Sequence, residues 1–315
     1  MSNTKLAFVF PGQGSQKIGM MAELAAEYPR VIDTFGEASE VLGYDVWNLI
    51  QNGEQEAINL TERTQPILLS ASVALWRVWQ DKQGPQPTLL AGHSLGEWSA
   101  LTCSGVLAFG DAVNLVRLRG AYMQEAVPQG QGTMAAIMGL DDDRIQQCCE
   151  QAAQGQEVAP VNYNAPGQVV IAGATQAVDR AIDLCKEAGA KRAAPLAVSA
   201  PFHTGMMKPA ADKLAEDMAS VTWSTPRIPV VHNVHAQTEN DPGRIRKLMI
   251  EQIYSPVRWV DCVKKLAAQG IDTAVECGPG KVLCGLNKRI DKGVNALPTD
   301  MPDSLTQALE ATARM

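Results

Sequence analysis

The sequence predicts an α/β protein whose parallel sheet is interrupted by a smaller inserted unit. Three observations lead there. Short apolar runs suited to buried strands alternate with amphipathic helical stretches through the first third of the chain. A serine sits between two glycines where one such strand runs into a helix. Near Gly130-Gln131-Gly132 the order changes to a βαββαβ run, after which the first rhythm resumes.

The elements follow in order. Leu6–Phe10 reads as a first strand, ended by Pro11-Gly12. A helix towards Tyr28 follows the 11–16 loop. Val31, Ile32, Phe35, Ala38, Val41 and Leu42 mark the apolar face of a second helix, and Ile67, Leu68, Ala71, Leu75, Val78 and Trp79 that of a third over 65–79. Thr88–Ala91 is a strand, 97–101 starts a helix, and Asp111 is the expected N-cap of another. In the inserted unit, 133–140 is a strand and 141–153 a capped helix. A hairpin of 158–163 and 168–172 turns at Asn164-Ala165-Pro166-Gly167. A helix over 175–189 and a strand over 192–198 complete it. Beyond lie helices at 207–220, 242–253, 256–269 and 280–290, strands at 228–233 and 273–276, and a terminal helix at 304–314. The expected domains are therefore a large α/β-hydrolase-like domain with a parallel sheet, 1–131 and 199–315, and a small ferredoxin-like domain, 132–198.

Composition narrows the function classes. The chain has 315 residues, 46% of them hydrophobic, enough for a large core. No apolar run reaches 18 residues, and the first apolar run is too short for a secretory signal, so a cytoplasmic protein is expected, away from membranes. A net charge of -7 without a long basic run argues against nucleic acid. Seven cysteines, with no C-x-x-C, read as reduced and mostly buried thiols. The four histidines lie outside zinc spacing, so no metal is expected.

The glycine-flanked serine is Ser94, in "GHSLGEWSAL" (92–101). A strand-to-helix elbow exposes such a serine at a strained corner, and the helix start offers the N–H of Leu95 to a developing oxyanion. A serine nucleophile needs a base. His93 is its chain neighbour and cannot easily swing onto Oγ; it is expected to pack under the elbow or bond locally. His203, in the loop where the chain re-enters the large domain, is the better base. No acid between Ser94 and His203 advertises itself as the partner of that histidine. Asp111, Glu125 and Asp179 are candidates, and a backbone carbonyl can do the same work. The loop Pro11–Gln16 makes a weak phosphate loop; its alternative is to bring a backbone N–H up to the nucleophile. Arg119 falls on the buried stripe of its helix with no carboxylate three or four residues away, so it pairs with a distant acid or awaits an anionic ligand.

Together these residues resemble malonyl-CoA:acyl-carrier-protein transacylases. The resemblance runs from the first strand to about Arg289, through "FVFPGQGSQ" (8–16), "TQPILLSASVALW" (64–76), "GHSLGEWSAL", "VRLRGAYMQ" (116–124), "VNYNAPGQVVIAG" (161–173), "VSAPFHTGMM" (198–207), "VVHNV" (230–234), "QIYSPVRW" (252–259) and "ECGPGKVL" (276–283). It implies ping-pong transfer of malonyl from coenzyme A, a substrate rather than a bound cofactor, to the phosphopantetheine thiol of an acidic acyl carrier protein, supplying fatty-acid synthesis. Ser94 would be the nucleophile, His203 the base, and the N–H groups of Gln13 and Leu95 the oxyanion hole. Arg119 would hold the malonyl carboxylate, and the main-chain carbonyl of Gln252 would orient His203. Gln65 and Asn233 match further positions near the site, and Phe202 narrows the pocket. Trp98 and His232 depart from the commonest residues there, tyrosine and asparagine, without altering the chemistry. Lys191-Arg192 and Lys288-Arg289 are candidate carrier-landing pairs, and a monomer is expected. The rivals are a polyketide-pathway acyltransferase, a serine esterase or thioesterase, and a non-enzymatic carrier-binding subunit. The esterase has no use for Arg119, and intact Ser94, His203 and Arg119 speak against the non-enzymatic subunit.

Overall fold

The computed structural model describes residues 5–198 and 200–314. Ser199, at the expected return to the large domain, lies outside the described residues, as do Met1–Thr4 and Met315. Among the described residues, nine strands form two sheets: β1 (Leu6–Phe10), β2 (Leu89–Gly92), β3 (Gly132–Met138), β4 (Val158–Ala165), β5 (Gln168–Ala174), β6 (Arg192–Pro195), β7 (Val230–Val231), β8 (Thr273–Glu276) and β9 (Asn295–Pro298).

The larger sheet has the order β7-β2-β1-β8-β9 and is parallel throughout. Its central strands are buried from end to end, which is why Leu6–Phe10 reads as an unbroken apolar run rather than an alternation. Phe8 packs edge-on against Trp76 and Trp79 of the helix Thr61–Asp81. The smaller sheet, β4-β5-β3-β6, is antiparallel. The helices Asp142–Ala153 and Thr175–Glu187 share a separate core with it, built on Ile137, Ile145, Ile171 and Val178. That order and connectivity are ferredoxin-like.

The two sheets are joined near the site. Tyr163 donates its N–H to the Val257 carbonyl at 3.0 Å, and Val257 donates to Val161 at 2.7 Å, so a loop of the larger unit pairs with β4.

Several boundaries differ from expectation. Asp111 is not an N-cap: the helix spans Phe109–Glu125 with Ala108 at the cap, and Asp111 sits in its first turn, where its charge suits the helix dipole. β7 keeps only two of the six expected residues. Pro229 brings no donor, Ile228 gives its N–H to Ser104 Oγ, and Asn233 turns its side chain to the serine elbow. The last strand of the small sheet stops at Pro195. Two short helices, Val46–Asn52 and Gln55–Asn59, and β9 carried too little periodicity to be read. The seven cysteines are free thiols, and no helix among the described residues is long and apolar enough to cross a membrane.

Candidate active site

Ser94 stands between β2 and the helix Leu95–Cys103, at φ 53° and ψ −109°. Only close packing holds a serine there. A Cβ on Gly92 would collide with the Gly96 backbone, and one on Gly96 with the Phe10 carbonyl, so the two glycines let strand, helix and β1 close up. Asn233 clamps the turn: its Oδ1 accepts the Ser94 N–H at 2.9 Å and its Nδ2 donates to the Gly92 carbonyl at 2.7 Å. Helix bonding begins with the N–H groups of Gly96 and Glu97, leaving Leu95, the first helical residue, in the position where an N–H has no intrahelical acceptor.

His203 faces the serine, Nε2 to Oγ at 2.8 Å, while Nδ1 lies 2.9 Å from the Gln252 carbonyl. A carbonyl only accepts, so Nδ1 carries the proton and Nε2 is bare to take one from Ser94. Burial first, and then the nearby Arg119 cation, push the imidazole pKa down to about 3, against the opposing pull of the Gln252 carbonyl. His203 also has positive φ, 63°.

Arg119 is 2% exposed. Its Nη1 donates to Gln65 Oε1 at 2.7 Å, and its Nη2 to Gln252 Oε1 at 3.1 Å and Ser94 Oγ at 3.2 Å; its Nε has no partner among the described residues. No carboxylate there forms an ion pair with it, and burial brings its pKa down to about 10. Gln65 is held in turn by Thr61, whose hydroxyl donates to Gln13 Oε1 at 3.0 Å, so the 11–16 loop is tied to the arginine's own support.

Gln13, Gln65, Ser94, Leu95, Arg119, Phe202 and His203 line one cavity of about 140 Å³. It opens on a groove of about 740 Å³ that shares Gln13, Leu196, Val198 and Phe202 with it. Asn233 and Gln252 stand behind the cavity. Thus Gln13, Gln65, Ser94, Leu95, Arg119, Phe202, His203, Asn233 and Gln252 lie in or directly against one site, whereas Asp111, Glu125 and Asp179, the acids considered as partners of His203, do not line it.

Three features were missed. His93, expected to pack under the elbow or bond locally, packs its ring 5.7 Å from that of Trp259, and the long-range partner of its Nε2, Asn164 Oδ1 of β4 at 2.7 Å, carried no signal. Glu97, buried in the elbow helix, joins His232 Nδ1 at 2.7 Å and accepts from Gln252 Nε2 at 2.7 Å. A lone charged side chain in a helix whose other residues are all uncharged was the available signal. Arg289, nominated for carrier docking, spends its guanidinium on Gln168 and the Pro166 carbonyl at the hairpin turn. Among the described residues no three His, Cys, Asp or Glu side chains are grouped to hold a metal.

This fold and cavity define an acyltransferase, and residues 7–296 match the acyl transferase domain family. Malonyl CoA-acyl carrier protein transacylase of Salmonella typhimurium is 58% identical over 97% of this chain and 99% of its own; that of Escherichia coli K12 is 56% identical over 98% and 99%. An acyl carrier protein S-malonyltransferase from Vibrio cholerae superposes with a TM-score of 0.95 at 56% identity, covering 96% of this chain and 99% of that one. A malonyl-transacylase solved with its type II polyketide acyl carrier protein superposes at 0.96 and 55%, covering 97% and 99%. The chain belongs to the malonyl CoA-acyl carrier protein transacylase family.

Proposed function

We propose that this protein transfers malonyl from malonyl-CoA to the phosphopantetheine thiol of an acyl carrier protein through a malonyl-serine intermediate. The observation that carries this reading is the bond from Arg119 Nη2 to Ser94 Oγ at 3.2 Å, which sets a buried cation beside the nucleophile. His203 Nε2 takes the proton as Ser94 Oγ attacks the thioester carbonyl. The N–H groups of Leu95 and Gln13 receive the oxyanion. As the C–S bond breaks, the imidazolium returns its proton to the departing thiolate of coenzyme A. The carrier thiol then enters, His203 takes its proton, the thiolate attacks the malonyl-serine ester, and Ser94 leaves with that proton. The Arg119 fork holds the malonyl carboxylate throughout. Phe202 narrows the cavity, and Gln65, Asn233 and Gln252 keep the reacting groups in place. No cofactor or metal enters these steps. We assign 1–131 and 199–315 to a large catalytic domain, 132–198 to a small one, and the protein to the cytoplasm as a monomer serving fatty-acid synthesis.

The test is intact mass after mixing with malonyl-CoA. A malonyl adduct is expected on the wild type and none on Ser94→Ala, which loses one hydroxyl and keeps the fold. The adduct is expected to discharge rapidly to carrier protein and slowly to water. Rapid discharge to water would make the protein a thioesterase, and label retained on Ser94→Ala would move the nucleophile elsewhere.

A further inference from the structure

We propose that Glu97 tunes how tightly the site grips an anionic acyl group, acting on Arg119 through the side chain of Gln252. The inference rests on Arg119 as the partner of the acyl carboxylate.

Glu97 is 1% exposed. Its two oxygens each take a separate donor, His232 Nδ1 at 2.7 Å and Gln252 Nε2 at 2.7 Å, an arrangement that suits an ionised carboxylate. The other end of the same amide, Gln252 Oε1, accepts from Arg119 Nη2 at 3.1 Å. One amide therefore stands between a buried anion and a buried cation. Its direction is fixed from both ends: the NH2 faces Glu97 and the Ser94 carbonyl, and the oxygen faces Arg119 and the Trp98 indole. Glu97 is the acidic group that counters the effect of burial on Arg119.

This spacing resolves a conflict. A carboxylate in direct contact would fill the guanidinium fork and exclude substrate. With no carboxylate at all, a buried cation would stand uncompensated. Set back by one amide, Glu97 offsets the charge and leaves Nε without a partner among the described residues. The same negative charge opposes a second anion arriving at Arg119. Glu97 therefore stabilises the empty site and weakens its hold on malonyl. A unit charge about 10 Å away, at an effective dielectric constant near 20, is worth roughly tenfold in affinity.

The experiment compares Glu97→Gln with wild type. Its readouts are kcat/KM for malonyl-CoA and acetyl-CoA, Tm without ligand, and the rise in Tm with free malonate as probe. The malonyl-to-acetyl ratio is expected to rise roughly tenfold, with a lower KM for malonyl-CoA and a larger malonate shift, while the ligand-free Tm falls. Opposite movements of affinity and stability are what a purely structural glutamate would not give. If Glu97→Gln does not fold, Glu97→Gln/His232→Asn supplies a neutral pair of amides, and the same readouts apply. An unchanged or lowered ratio overturns the proposal. Arg119→Ala is run alongside: equal losses for both thioesters there would sink the reading of Arg119 itself, whereas a collapsed ratio there with an unchanged ratio in Glu97→Gln sinks only the role of Glu97.

Discussion

Two buried histidines flank Gln252, and they are held in different ways. His203 rests its Nδ1 on the main-chain carbonyl of Gln252, while His232 rests its Nδ1 on Glu97, whose other oxygen takes the Gln252 side chain. The buried carboxylate of this region thus serves the histidine away from the serine. A carbonyl orients an imidazole without adding charge, so His203 stays a neutral acceptor beside Arg119. A carboxylate on His203 would also have been an anion near the place where malonyl must bind. The base and the substrate-binding cation can share one small cavity because the acid lies one residue further back.

The comparison is broken most sharply by exchanging the two histidines separately. His203→Ala is expected to slow acylation by roughly two to four powers of ten, the usual range for loss of a general base. His232→Asn keeps a donor for Glu97 and is expected to change the rate by less than about threefold, within the spread of a substitution that keeps its hydrogen bond. Rapid-quench measurement of the malonyl-enzyme decides both. Comparable losses at the two positions would remove the distinction between them.

Next in size is Arg119→Ala. A substrate carboxylate left without its buried partner costs about 2–5 kcal/mol, roughly thirty- to several-thousandfold in kcat/KM for malonyl-CoA. The slow reaction of acetyl-CoA has no carboxylate to strand and is expected to fall little. Arg119→Lys keeps the charge but not the fork, so partial recovery is expected. Arg117, which instead bonds Asn114 at 2.8 Å, is the control on the same helix.

The smallest effect near neutrality is that of pH. Acylation requires the neutral His203 imidazole, and burial pushes its pKa down to about 3. Falling pH is therefore expected to leave acylation flat through the ordinary histidine range, near 6.5, and to diminish it only well below. Stability moves with the same sign. Between about 3 and 6.5 the unfolded chain binds the proton that folded His203 refuses, so acidification lowers stability there. Single-turnover rates and Tm between pH 5 and 8 test both statements. An acid limb centred at 6.5 would place the base in a solvated setting unlike the one described.

The legible part of the site was the part that local chemistry writes into consecutive residues. Ser94 between its glycines, an inward Arg119 on an apolar stripe, and His203 in a re-entry loop each carry a signal within one element. The partner of His203 carried none, because any residue can offer a main-chain carbonyl and only the tertiary fold brings Gln252 to that place. Asn233 entered only through the resemblance and Glu97 escaped altogether, for a related reason: their work is to bridge elements 139 and 155 residues away in the chain, to Ser94 and Gln252 respectively. Among the strands, β1 and β8 were read to the residue. The two-residue β7 and the half-buried β9 take their form from neighbours rather than from their own pattern.

Ser94 and His203 both adopt left-handed backbone, φ 53° and 63°, although neither is glycine. Each such conformation costs on the order of 1–3 kcal/mol. Glycine at either position would relieve that cost while destroying the chemistry, so dead variants stand to gain backbone comfort. A library screened for thermal resistance alone would then drift towards inactive sequences at these two codons, and only selection on turnover retains the serine and the histidine.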